Sequence, residues 1–227
     1  GGHMGKPLLY QFGISPTCQR VFATLAHKGI EYDTFEVDIS QKQRPEEFNK
    51  VSPYGKVPLL VHDGHRIVES INIITYVDEV WPTPPMLPAD AAGRAYARQW
   101  LIFADREILD KDAQFTHVER DLDRKREICH GLFAGLSALE SELADKTGLF
   151  LGRDLSLVDC ALAPTMAFLP VWSRIVDDRC YGDYRHIRAY TDRLRAHPTL
   201  AATVFNIPED VYQGFFEAVL GQGLTVP

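Results

Sequence analysis

Cysteine is scarce in this chain of 227 residues, with four in all. Cys18, Cys129, Cys160 and Cys180 stand far apart, so they make neither a disulfide framework nor a zinc pattern. Long apolar runs are missing as well. Nothing approaches the roughly 18 apolar residues of a membrane span, and no basic, apolar and small-residue succession marks an export signal. An excess of positive charge is the third absence. Twenty-four Lys and Arg stand against 31 Asp and Glu, for a net charge of −7. That balance argues against non-specific binding to nucleic acid or to an anionic membrane surface. The expected setting is a reducing cytoplasm, with no membrane or nucleic-acid partner.

What is present is globular. Hydrophobic residues make up 45% and charged residues 24%, which excludes wholesale disorder. On a prior of roughly 150 residues per domain the length allows one large domain or two unequal ones. Gly1-Gly2-His3 ahead of Met4 reads as an expression remnant and is set aside.

The chain divides by texture. Leu8 to Phe12 reads as a short buried strand, and Cys18, Val21, Phe22, Leu25 and Ala26 recur at helical spacing up to a capping Gly29. Tyr32 to Val37 alternates as a second strand, and a short helix follows around Pro45 to Lys50. Val57 to Val61 and Arg66 to Val68 flank the hairpin signal Asp63-Gly64. Ser70 to Trp81 is an amphipathic helix on Ile71, Ile74, Val77 and Val80. Pro82 to Pro88 then holds four prolines in seven residues, a stiff linker that cannot be helix. Beyond it, residues 90–114, 119–146, 157–172 and 184–196 read as helices, resuming after Pro198. The mixed charges from Glu119 to Glu127 read as a solvated helix face. The predicted architecture is an α/β domain over 4–81, a linker over 82–88 and an all-helical domain over 89–227.

Three places in the first domain carry chemistry. Ser15-Pro16-Thr17-Cys18 joins the first strand to the first helix; Ser and Pro there are ordinary helix-start residues. The same geometry puts a hydroxyl beside unsatisfied N–H groups, in a field that favours a thiolate. It is also a Cys-x-x-Cys redox pattern with Ser in place of the first Cys. Lys56-Val57-Pro58 opens the third strand, where proline is tolerated; with a cis bond it presents the Val57 backbone to an extended peptide ligand. Glu69-Ser70 starts a helix and offers an anion site.

Together these stretches carry a resemblance. Ser15 to Val21, Ser52-Pro53-Tyr54-Gly55-Lys56-Val57-Pro58, and Val68-Glu69-Ser70 running to Trp81-Pro82 resemble the thioredoxin-like N-terminal domain of cytosolic glutathione transferases. The linker and helices resemble that family's second domain, and Ser156-Leu157-Val158-Asp159 resembles its helix-capping box, read here as a folding element.

The resemblance implies a glutathione transferase fold, glutathione as co-substrate, no metal, a homodimer, and detoxifying attack on small hydrophobic electrophiles. Ser15 takes the place of the catalytic Ser of the zeta and tau classes, or of the omega-class Cys. Arg44 falls where omega-like members place a Lys for glutathione, and Lys56 resembles a tau-class residue near the glycyl carboxylate. The Val57 backbone is expected to pair with the cysteinyl unit, and Glu69 and Ser70 to hold the γ-glutamyl end. The electrophile pocket is expected between the domains, lined by the stripe Tyr96, Trp100 and Phe103; that stripe also suits core or dimer packing, as do Phe168, Trp172 and Phe205. His62, Asp63 and His65 flank a tight turn and are not read as metal ligands. Two other readings stand beside the transferase: a non-catalytic partner-binding protein, and a glutathione-dependent thiol transferase or reductase acting through Cys18.

Overall fold

The computed structural model describes residues 4–118, 121–176 and 183–220. Cys180, Glu119, Arg120 and Gly1–His3 lie outside them. Four strands form one sheet in the order β2-β1-β3-β4: β1 (Leu8–Gln11), β2 (Asp33–Glu36), β3 (Leu59–His62) and β4 (His65–Val68). β1 runs parallel to β2 and antiparallel to β3, which pairs antiparallel with β4. The βα unit and the hairpin are thus where the period-two and helical patterns put them.

Alternation along β1 fixes which helix covers which face. Leu9 pairs with Leu60 and enters the core with Val21, Leu25, Ile73 and Ile74 of α1 (Pro16–Lys28) and α3 (Ser70–Val80). Its neighbour Tyr10 pairs with Leu59 on the other face, over Val37 just after β2 and Phe48 of α2 (Glu46–Val51). Each such buried aliphatic side chain contributes about 1.5–3 kcal/mol. α1 stops at Gly29, whose φ of 66° suits a residue without Cβ, and its N–H reaches back to the Ala26 carbonyl. The β3–β4 turn has φ of 46° at Asp63 and 80° at Gly64, the left-handed pair expected of an Asp-Gly hairpin.

The linker is fastened on both sides. Lys28 Nζ is buried against Asp78 Oδ1 at 2.6 Å and the Pro84 carbonyl. The same Asp78 oxygen accepts from Met86 N at 3.0 Å, and the Met86 carbonyl accepts from Leu157 N at 3.0 Å. Beyond it come α4 (Ala91–Phe103), α5 (Leu122–Leu143), α6 (Leu157–Val176), α7 (Arg185–Ala196), α8 (Pro198–Thr203) and α9 (Glu209–Leu220). After Phe103 the helix continues through a π-helical stretch (Ala104–Leu109), four α-helical residues (Asp110–Ala113) and a second π-helical stretch (Gln114–Val118). The core is continuous across both halves, with Val21, Ile74, Ala97, Leu162 and Trp172 in one cluster.

The charged start of α5 departs in one respect from a wholly solvated face. Asp123 and Arg126 pair at the surface, but Lys125 is 2% exposed with its ammonium 5.0 Å from the Phe115 ring centre. The 156–159 box closes as a cap. Asp159 Oδ2 accepts from Ser156 N and Oγ, both at 2.9 Å, while Oδ1 accepts from Phe150 N at 2.9 Å and Tyr190 Oη at 2.6 Å.

Candidate functional site

A cavity of about 320 Å³ opens between the sheet domain and the helices, at the small end of ligand-site sizes. Ser15, Thr17, Lys56, Val57, Glu69 and Ser70 line its sheet-domain wall. Turns at the ends of β1, β3 and β4 bring these distant sequence positions together.

Ser15 is the N-cap residue of α1 by position, yet its side chain makes no capping hydrogen bond. Its Oγ lies 2.9 Å from Thr17 Oγ1, and Thr17 in turn donates to the Val57 carbonyl at 3.3 Å. A carbonyl can only accept, so the Thr17 proton is committed there and Ser15 donates to Thr17. The Ser15 hydroxyl is therefore not spent on capping. It stands at a positively polarised helix end with an O–H that can turn to an incoming anion.

Val57-Pro58 is cis, and Val57 lies on the cavity wall. Glu69 has φ of 69°, a left-handed backbone that costs of order 1–3 kcal/mol in a non-glycine residue and persists where the surroundings enforce it. It sets Glu69 on the wall immediately before α3 begins. Ser70, 5% exposed, accepts from Arg20 Nη1 at 3.1 Å, which leaves its own proton free to donate. Arg20 is buried, pairs with the Asp105 carboxylate and donates to the Ala161 carbonyl at 3.0 Å. One guanidinium thus ties α1, α3 and two helices of the second half around the cavity.

Arg44 is not on this wall. Its guanidinium folds back onto the carbonyls of Gln41 and Ile39 within its own loop. Cys18 is fully buried, and burial pushes its thiol up to about 11, so little thiolate forms near neutral pH. His62 is also buried, between Tyr76 Oη at 2.7 Å and the Gly5 carbonyl at 3.1 Å.

The aromatic stripe on α4 faces elsewhere. Trp100 is 6% exposed against Phe103 and Phe150, with ring centres 4.6 and 5.3 Å apart, and the Tyr96 hydroxyl donates to Glu142. None of Tyr96, Trp100 and Phe103 lines the cavity, which corrects the expected pocket. Helical phase is the reason. Residue 105 lies about half a turn beyond residue 103, so Asp105, Leu109, Asp112 and Ala113 face the cavity while Tyr96 and Trp100 pack on Phe150, with Phe103 against Trp100. Phe168, Tyr212, Phe215 and Phe216 complete the helical wall. Trp172 is fully buried and Phe205 packs on the core. The i, i+4, i+7, i+8 spacing of 105, 109, 112 and 113 is visible in the sequence, but its acidic members disguise it as a solvated face.

Comparison with known proteins agrees with this fold. Residues 14–80 match the family description "Glutathione S-transferase, N-terminal domain", and residues 111–193 match "Glutathione S-transferase, C-terminal domain". A soybean (Glycine max) "Probable glutathione S-transferase" is 33% identical over 71% of this chain and 70% of its own. A Drosophila melanogaster "Probable maleylacetoacetate isomerase 1" is 33% identical over 86% of this chain and 74% of its own. A rice glutathione S-transferase solved in complex with glutathione superposes with a TM-score of 0.78 at 24% identity, covering 96% of this chain and 97% of that one. The chain belongs to the glutathione S-transferase family.

Proposed function

We propose that this chain binds glutathione on the sheet-domain wall and activates its thiol for attack on a small hydrophobic electrophile. The observation that carries the reading is Ser15: a hydroxyl at a helix N-terminus, free of any capping bond, in one cavity with Val57, Glu69 and Ser70. The γ-glutamyl amine and carboxylate need partners of opposite character, which the Glu69 carboxylate and the Ser70 hydroxyl supply. The Val57 backbone pairs with the cysteinyl unit, and exposed Lys56 faces the glycyl carboxylate. That arrangement delivers sulfur to Ser15. A free thiol of this kind has a pKa of about 8.5, so only a few per cent is thiolate at pH 7. Lowering it by about two units takes about 2.7 kcal/mol of preferential stabilisation of the anion. A charge-assisted hydrogen bond from Ser15 and the α1 dipole are of that order together. Leu109, Phe168, Tyr212 and Phe216 then seat the electrophile and add the positioning term.

The Ser15→Ala variant tests this directly. Calorimetry should show glutathione binding within a few fold of wild type, while turnover with a reactive aryl or benzyl halide falls sharply. Unchanged turnover removes Ser15 as the activating group, and no glutathione binding at millimolar ligand favours a non-catalytic partner-binding protein. A homodimer is proposed with this reading, and size-exclusion chromatography tests it.

A second reading is an isomerase, favoured by relatives named as probable maleylacetoacetate isomerases at 32% and 33% identity. It uses the same thiolate, adding to a conjugated double bond and leaving again. The readings separate on stoichiometry: conjugation consumes glutathione with each turnover, and isomerisation returns it.

A further inference from the structure

The helical wall of the cavity holds a carboxyl group that thiol activation does not use. Asp112 is 7% exposed and lines the cavity. Thr116, itself fully buried, donates to its Oδ1 at 3.2 Å, and that is its only hydrogen-bond partner among the described residues. Asp112 sits in the four-residue segment between the two π-helical stretches, a distortion that proteins often keep at functional sites. Leu109, Ala113 and Phe168 line the same cavity. Building on the thiolate reading above, we propose that Asp112 is the proton donor when the electrophile is an α,β-unsaturated carbonyl compound.

The thiolate sulfur forms a bond to the β-carbon, and the C=C π pair shifts toward the α-carbon as the carbonyl π pair moves onto oxygen. The Asp112 carboxyl passes its proton to that oxygen, giving an enol that tautomerises to the saturated ketone. The carboxylate left behind regains a proton from water, balancing the one lost when the thiol ionised. A halide displacement builds no charge on such an oxygen and has no use for this donor.

Asp112 is suited to the task because burial pushes its carboxyl up to about 7, against a lesser opposing pull from the Thr116 hydrogen bond. At that value the acid is present near neutral pH and still strong enough to transfer its proton. The charged and titratable groups that line the same cavity are Asp105 and Asp110 on this wall, Tyr212 from α9, and Lys56 and Glu69 on the sheet-domain wall, and the buried Lys125 stands on α5, which packs against this segment. Asp110 is also raised, first by burial and then by Asp105. Neither Asp105 nor Asp110 offers a buried acid. Asp105 is held by Arg20, and Asp110 is exposed, with Arg20 and then Lys56 opposing its rise. Among the three carboxyls on this wall, Asp112 is therefore the one placed to carry a proton; the Tyr212 hydroxyl, which accepts from Gln19 Nε2 at 3.4 Å, is the other donor there.

The test compares benzylideneacetone, an enone, with benzyl chloride at saturating glutathione across pH 5.5 to 9, in wild type, Asp112→Asn and Asp112→Leu. For wild type the enone kcat/KM should rise with thiolate formation and then fall as pH passes about 7, while the halide profile shows the rise alone. Asp112→Leu should lower the enone-to-halide rate ratio by about tenfold to a hundredfold, the low end of general-acid effects. Asp112→Asn keeps an N–H donor that cannot ionise, so it should abolish the alkaline fall while retaining part of the ratio. A ratio unchanged within about twofold in Asp112→Leu, with the alkaline limb intact in Asp112→Asn, overturns the proposal. Should Ser15-dependent turnover of benzyl chloride persist in that case, only the role of Asp112 fails. A wild-type protein that neither binds glutathione nor turns over benzyl chloride overturns both readings.

Discussion

Asp112→Asn should stabilise the protein, and by an amount that depends on pH. The Asp112 carboxyl is raised from an ordinary value of 3.8 to about 7 by burial. The folded state therefore holds this proton at pH values where the unfolded chain has released it. Between about pH 4 and 7 the native state binds more protons than the unfolded one, so this group's contribution to stability declines as pH rises. About three pH units at about 1.4 kcal/mol each give a penalty approaching 4 kcal/mol above pH 7. Asn is nearly isosteric, accepts the Thr116 hydrogen bond through Oδ1 and carries no charge to desolvate. Its advantage over wild type should be near zero at pH 4, grow by about 1.4 kcal/mol per pH unit, and level off above 7. For a chain of this size that is about 2–4 °C in Tm per kcal/mol. Taking the difference between the two proteins cancels the buried Asp159 and the exposed Asp110, which both retain. Thermal or urea unfolding at unit pH intervals provides the measurement. A wild-type-minus-variant difference that stays flat from pH 5 to 8 refutes the reasoning, because it means Asp112 is ionised at its ordinary pH.

Two further outcomes follow from the packing. Asp159→Ala strands four donors that its carboxylate satisfies, from Phe150, Ser156 (twice) and Tyr190. At about 1–3 kcal/mol for each buried unsatisfied group, the loss should consume much of a normal stability of 5–15 kcal/mol; a urea-derived change below about 1 kcal/mol contradicts the role. Cys18 should resist a thiol reagent at pH 8 in the native protein and react once it is denatured, followed by mass spectrometry; native labelling at the rate of a free thiol would reopen thiol-transfer chemistry through Cys18.

Much of the fold was legible because it is local. Period-two runs, the Asp63-Gly64 turn, the Gly29 cap and the Pro82–Pro88 block each act through their own φ/ψ demands, and the elements lie where those demands put them. The sheet-domain half of the site was legible for the same reason: a hydroxyl, a Val-Pro and a Glu-Ser each mark the end of an element. The other half was not. Whether a helix stripe faces a neighbour or a cavity depends on its rotation, so the aromatic 96/100/103 stripe looked more like a pocket than the acidic 105/109/112/113 stripe that lines it. Arg44 differs again: its place in the family resemblance says nothing of a loop that turns its guanidinium onto its own carbonyls. The freedom of Ser15 from capping could not be read from sequence either, since Ser at a helix start caps by default.

The central claim is that Ser15 favours the thiolate of bound glutathione, and titrating that thiolate by its ultraviolet absorbance in the binary complex tests it most directly. The account predicts an apparent pKa of about 6.5 in wild type, about two units below the free thiol, and a return toward 8.5 by at least about one unit in Ser15→Ala. The same pKa in both proteins, or a free-solution value in wild type, would contradict it.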